Sequence, residues 1–215
     1  MKFRSLLSAL LIAAPLALAA QTPSTKDLAS RVNAHYNHLQ SLETRYTERY
    51  RGMGIDRTET GTLLLRKPGR MRWSYDSPKG KLFVVDGKYA ISWTPGDSQA
   101  DRIPVKKLDD LHTPLRFLLG HTELEKEFAS LTLAPLGGGQ FTLSGAPRGM
   151  ENKVRAIILT VTADGTIHAM RIEELDGAIT EFAFTNLREN VPTKPEDFTF
   201  DPPAGVSIVD GASPI

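Results

Sequence analysis

Residues Gly61–Gln99 read GTLLLRKPGRMRWSYDSPKGKLFVVDGKYAISWTPGDSQ. Short runs rich in Leu, Val, Trp and Tyr are cut by Pro68-Gly69, Pro78-Lys79-Gly80, Asp86-Gly87 and Pro95-Gly96. Bulky apolar residues between such turn signals predict three or four short strands joined as antiparallel hairpins. No side chains in the stretch make a catalytic arrangement. It reads as a curved apolar wall. Alternation places Leu63, Leu65 and Lys67 on one face, and Met71, Trp73 and Tyr75 continue that face after the turn. Lys67 is then a cation on the apolar side, where it needs a partner. Unpaired carbonyls at helix ends are natural partners for it. Arg66, Arg70 and Arg72 complete a basic cluster whose plain reading is a solvated hairpin.

Upstream, Ser24-Thr25-Lys26-Asp27 is a capping-box-like start, and Leu28, Val32, Tyr36 and Leu39 follow at helical spacing, predicting a helix over 25–39. From Leu42 to Tyr50 the pattern alternates, with Leu42, Thr44, Tyr46, Glu48 and Tyr50 on one side, predicting a half-exposed strand. A turn near Gly52-Met53-Gly54 leads into a strand over 58–67. Downstream the period changes. Leu108, Leu111, Leu115, Leu118 and Leu119 form one helical stripe, broken by Pro114, and Glu123–Phe128 reads as a further turn. Strands are predicted at 130–134 and 140–144 across Gly137-Gly138-Gly139, then at 154–162, 166–175 and 178–187. Asp164-Gly165 and Asp176-Gly177 are strong hairpin signals. Phe198–Pro203 reads as a short edge strand stopped by prolines. The total is ten or eleven strands, one N-terminal helix and a central helical insertion. The economical arrangement is mainly β (α+β): a single curved antiparallel sheet, an incomplete barrel, under a helical lid.

The candidate chemistry is thin. His35 and His38 lie three apart on the first helix, but two ligands do not make a metal site, and helix-packing histidines are the plain reading. Gly137-Gly138-Gly139 lacks the Lys-Ser or Lys-Thr of a phosphate loop. Glu173-Glu174 point to opposite faces of a strand. With no cysteine there is no thiol nucleophile, and no Gly-x-Ser-x-Gly occurs. The sequence therefore predicts neither an enzyme nor a cofactor.

The ends and the charge narrow the classes further. Lys2 and Arg4 precede an apolar core at 6–18 that is short for a bilayer span, and Ala17-Leu18-Ala19 supplies small residues. Residues 1–19 read as a signal peptide cut after Ala19 or Ala20, leaving 20–215 as one exported domain. Removing Lys2 and Arg4 from 26 basic residues leaves 24 against 25 acidic ones, a near-neutral balance unsuited to nucleic acid. No Cys follows the cleavage site, so the chain reads as released rather than lipid-anchored.

Several segments, taken in order, resemble the LolA family of periplasmic carriers of outer-membrane lipoproteins. They are Gly61–Pro68, Arg72-Trp73-Ser74-Tyr75, Val84–Lys88, Thr113–Leu119, Asp164–His168 and Phe198–Val206. The resemblance implies an unclosed barrel with a helical lid over an apolar cavity. It also implies acylated lipoproteins as cargo, an inner-membrane ABC transporter as donor and an outer-membrane lipoprotein as acceptor, with the carrier a monomer. The cavity would be lined by Leu63, Leu65, Met71, Trp73, Tyr75, Leu82, Val84, Ile91 and Trp93. The lid would carry Pro114, Leu115, Leu118 and Leu119. The family usually places Arg just before the Pro as a lid latch; here Lys67 holds that position and Arg66 precedes it. The family often has an aromatic residue where Met71 stands. Three rival readings keep the fold and give it another role, as a periplasmic lipid-binding sensor or regulator, a carrier of another lipid, or a lipid hydrolase.

Overall fold

A computed structural model describes residues 22–106 and 122–211. Helix α1, Thr25–His38, begins where the capping signal places it: the Ser24 hydroxyl accepts the Asp27 amide at 3.1 Å. Its apolar stripe, Leu28, Ala29, Val32 and Tyr36, is buried. Strands follow at β1 Ser41–Gly52, β2 Ile55–Arg66, β3 Arg70–Ser77, β4 Leu82–Val85, β5 Tyr89–Trp93 and β6 Gln99–Pro104. A one-turn helix α2, Leu124–Glu127, precedes β7 Thr132–Gly137, β8 Gln140–Gly145, β9 Val154–Thr162, β10 Ile167–Glu174 and β11 Ile179–Glu189. A 3-10 turn, Pro195–Phe198, and the last strand β12, Ser207–Asp210, complete the described chain. The expected helices between 106 and 120 lie outside the described residues.

The twelve strands form one sheet in the order β12-β6-β5-β4-β3-β2-β1-β11-β10-β9-β8-β7. Apart from β12, which pairs parallel with β6, it is two antiparallel meanders joined where β1 pairs with β11, and it is not closed into a barrel. The Asp164-Gly165 and Asp176-Gly177 pairs are turns, with Gly165 at φ 95° and Gly177 at φ 91°. One face of the sheet is concave and carries α1 and α2. On it Leu63, Leu65, Met71, Trp73, Phe83 and Val85 join Leu159, Met170, Phe182 and Phe184 in one core with Leu28, Val32 and Leu124. Burying each such side chain contributes about 1.5–3 kcal/mol.

The C-terminal segment departs from the sequence reading. Residues 198–203 are not an edge strand. Phe198 closes the 3-10 turn and is buried, while the carbonyls of Asp197 and Thr199 accept from the Arg72 guanidinium at 3.3 and 3.0 Å. Those carbonyls are held by a side chain instead of a ladder, and Pro202-Pro203 have no N–H to offer one. The true edge strand is β12, which pairs parallel with β6. Between β11 and β12 the chain crosses the convex face as a strap.

Gly165 lies against α1: a Cβ there would sit 2.6 Å from the Arg31 carbonyl. Gly177 has the same handedness but open space around it. Gly165→Ala should therefore cost about 2–4 kcal/mol, strain plus overpacking, and Gly177→Ala about 1 kcal/mol. Denaturant midpoints compare the two, and equal losses would mean that α1 does not rest on this turn.

Candidate functional site

Register decides what the concave face displays. Tyr46 of β1 faces Gly61 of β2 and Phe184 of β11, and Leu63 and Leu65 face Trp73 and Met71. Gly61 is there for space: a Cβ would meet the Ser74 carbonyl at 2.2 Å and the Tyr46 hydroxyl at 2.7 Å. The Tyr46 ring can then stand edge-on to Trp73 at 4.5 Å and to Tyr75 at 5.7 Å. Trp73 continues to Phe182 at 5.7 Å, and Phe182 stacks on Phe184 at 6.2 Å. Aromatic rings from β1, β3 and β11 thus line one wall.

Of the expected cavity residues, Leu63, Leu65, Met71, Trp73 and Tyr75 share this face. Leu82, Val84, Ile91 and Trp93 do not. Ser74 pairs with Leu82 and Arg72 with Val84, while Leu82 and Val84 pair with Trp93 and Ile91. All four therefore lie on the convex face, with Arg72. The concave positions of β4 and β5 are Phe83, Val85 and Ala90. The reason is that Leu82-Phe83-Val84-Val85 is apolar on both faces, so alternation carries no signal there. Its convex side has its own cover, because the strap brings Phe198 over β3 and Phe200 to 6.0 Å from Trp93. The expected lid residues Pro114, Leu115, Leu118 and Leu119 lie outside the described residues.

Lys67 does meet a helix end. Its Nζ donates to the Tyr36 carbonyl in the last turn of α1 at 2.7 Å, and its backbone N–H donates to the Gln40 carbonyl at 2.8 Å. A cation there also complements the helix dipole. Burial pushes the Lys67 ammonium below the usual lysine range. A small, partly open apolar cleft lies beside it, lined by Tyr36, Leu39, Ser41, Leu42 and Leu65. Arg66 points the other way, level with Ser41 and Arg70, and its buried Nη1 has no hydrogen-bond partner among the described residues. The two helix histidines have separate partners, in line with the plain reading: His35 Nε2 lies 2.9 Å from Glu189, and His38 Nδ1 lies 2.6 Å from the Ala34 carbonyl.

Sequence reasoning missed the clamp on the end of the insertion. Asn37 holds Thr122 twice, accepting its N–H at 2.7 Å and donating to its carbonyl at 2.9 Å. Asn33, one turn earlier, accepts the Leu124 N–H at 2.9 Å and donates to Glu125 at 2.8 Å. The i, i+4 spacing of two asparagines was the available signal.

Residues 38–201 match the family described as outer membrane lipoprotein carrier protein LolA. The chain belongs to this family. The outer-membrane lipoprotein carrier protein of Nitrosospira multiformis is 29% identical over 72% of this chain and 74% of its own length. That of Chromobacterium violaceum is 27% identical over 94% of this chain and 97% of its own. A conserved protein of Thermus thermophilus shares the fold alone: TM-score 0.56 at 12% identity, over 86% of this chain and 98% of that one.

Glu48 is one of the charged residues on the concave face, with Lys67 and Glu59. It faces Phe182 on one side and Glu59 on the other. Burial first, and Glu59 second, push its carboxyl up, partly offset by Lys81 and Arg57. A carboxyl raised in the folded state binds protons more tightly than in the unfolded chain, so its charged form weakens the fold as pH rises. Glu48→Gln should thus raise Tm at pH 7, and the gain should vanish as pH falls below the ordinary value of 4.5. A pH-independent gain would point to packing instead.

Proposed function

We propose that this chain is a periplasmic carrier that shields lipoprotein acyl chains against its concave face and moves them from the inner to the outer membrane. The observation that carries the reading is the aromatic wall of Tyr46, Trp73, Tyr75, Phe182 and Phe184 on an unclosed sheet, in a member of the LolA family. Each acyl CH2 removed from water is worth about 0.8 kcal/mol, so two or three chains cannot cross an aqueous space unshielded. No covalent step is needed. Cargo enters by displacing the helical cover and leaves when an acceptor offers a better apolar surface. An inner-membrane transporter would load the carrier, and an outer-membrane lipoprotein would unload it. Residues 1–19 would be removed on export, leaving a monomeric domain from residue 20.

In this reading Lys67 is the latch. It fixes the C-terminal end of α1 to β2, and α1 in turn holds Thr122, just past the insertion that carries Leu115, Leu118 and Leu119. The closed empty state competes with cargo, so a weaker latch favours the loaded state.

Transfer of a labelled lipoprotein from donor membranes through the purified carrier to an acceptor tests the latch. Lys67→Leu should load but deliver poorly. Lys67→Arg should deliver at least as well as the wild type, since a guanidinium offers more donors to the same carbonyl. Arg66→Ala should leave transfer nearly unchanged. The opposite pattern, with Arg66→Ala blocking transfer and Lys67→Leu silent, would move the latch to Arg66. The carrier reading has its own check: a fluorescent apolar probe on the concave face should be displaced by an acylated peptide and not by its unacylated form.

A further inference from the structure

The concave face is not uniformly apolar. Away from Lys67, β1 and β2 set Glu48 and Glu59 directly opposite each other. Glu59 is only 4% exposed and is fully engaged: Lys81 Nζ reaches its two oxygens at 2.8 and 3.0 Å, and Arg57 Nε lies at 3.4 Å. Lys81 is committed further, 4.4 Å above the Tyr75 ring. Glu48 has no side-chain hydrogen bond or ion pair among the described residues. Several other strand charges are paired, as in Arg49–Asp56, Arg51–Glu181 and Arg102–Asp210. Beside Glu48, Tyr46 is 2% exposed, and its buried hydroxyl approaches that of Tyr75 without a hydrogen bond of good geometry among the described residues. The phenol lies within electrostatic range of Glu48, Glu59 and Tyr75.

An unmatched carboxylate and a poorly satisfied phenol on one aromatic wall define the ligand chemistry. A partly buried carboxylate without a partner is costly, and so is a buried hydroxyl without one. An anionic head would be repelled by Glu48, because the nearby cations bond to Glu59 and offset the Glu48 charge only in part. A neutral head would leave the carboxylate charge unmet. A primary ammonium carries three N–H donors, enough for the carboxylate and the phenol oxygen together, and the adjacent ring faces also attract a cation. We propose that Glu48 and Tyr46 form a headgroup site for a primary ammonium, on an amphiphile whose apolar chain lies along Trp73, Phe182 and Phe184. This rests on the acyl-chain reading of the concave face. The ammonium could belong to the free α-amine of an acylated polypeptide or to the ethanolamine head of a phospholipid.

Decylammonium, decanol and decanoate bound to the mature protein separate these claims. Decylammonium should bind at least about tenfold tighter than decanoate, the scale of one charge-assisted hydrogen bond. Glu48→Gln should erase that preference while leaving decanol unchanged, and Glu48→Asp should keep part of it, which guards against a folding artefact. Tyr46→Phe should weaken decylammonium alone. Equal binding of all three heads, or a preference that survives Glu48→Gln, would overturn the headgroup site. Failure of all three to bind would overturn the acyl-chain reading itself. The source follows from two further pairs. If the site serves a polypeptide end, a diacylated dipeptide should bind in a Glu48-dependent way and its N-acetylated form should not. If it serves a phospholipid, the same contrast should separate lysophosphatidylethanolamine from lysophosphatidylcholine. No contrast in either pair would overturn the ammonium assignment.

Discussion

The pairing of β1 with β11 is the constraint on which the molecule depends. β1 hydrogen-bonds along its length to β2, its neighbour in sequence, and to β11, which begins more than a hundred residues later. Closing that long loop costs entropy before any contact repays it. The repayment is distributed along the seam. At one end Ser41 donates to the Val191 carbonyl and Glu43 meets Arg188. At the other, Arg51 meets Glu181, and Gly52 lets the backbone approach Ala178. Between them, Tyr46 and Glu48 are set beside Phe184 and Phe182. The aromatic wall exists only because this seam joins rings from one meander to rings from the other.

The sheet built on that seam buries both faces by different means. The concave face is covered by helices, and the convex face of β3–β5 is covered by the strap. The covers are fastened differently too. The strap is continuous with β11 and ends by pairing as β12, so it is integral to the sheet. The helical cover is pinned at points: Lys67 to the end of α1, the Tyr36 hydroxyl to the Ile167 N–H at 3.0 Å, and two asparagines to residues 122–125. A four-residue helix such as α2 has almost no stability of its own and stays only while packed and clamped. The face with the point-fastened cover is the one that can be uncovered without dismantling the sheet.

The sequence made the fold class legible and the site only half so. β9 was legible to the residue because Val154–Thr162 is a run rich in β-branched residues that ends just before Asp164-Gly165. α1 was legible from its cap and stripe. The concave half of the hairpin was legible because Arg66, Arg72 and Ser74 alternate with Leu65, Met71 and Trp73. The reading failed where that contrast disappears. In Leu82–Val85 both faces are apolar, so parity can be fixed only by knowing the pairing with β3. In 195–203 the apolar Phe198 and Phe200 imitate strand alternation, yet they serve a strap whose carbonyls are met by Arg72. That partner is more than a hundred residues away in sequence. Local pattern reports burial, and only long-range pairing says on which side.

Glu48 shows how the two kinds of information combine. Alternation alone places it on the side of Leu42, Thr44 and Tyr46, which makes it an acidic residue in an apolar series. Propensity has no reason for it, since an apolar residue would pack better beside Phe182. A neighbouring cation balances it only in part, because Lys81 and Arg57 both bond to Glu59. A face selected only to be buried permanently would have lost this charge. A face that is repeatedly opened and refilled can keep a group whose cost falls on the empty state, because that cost favours occupancy by any ligand able to satisfy it.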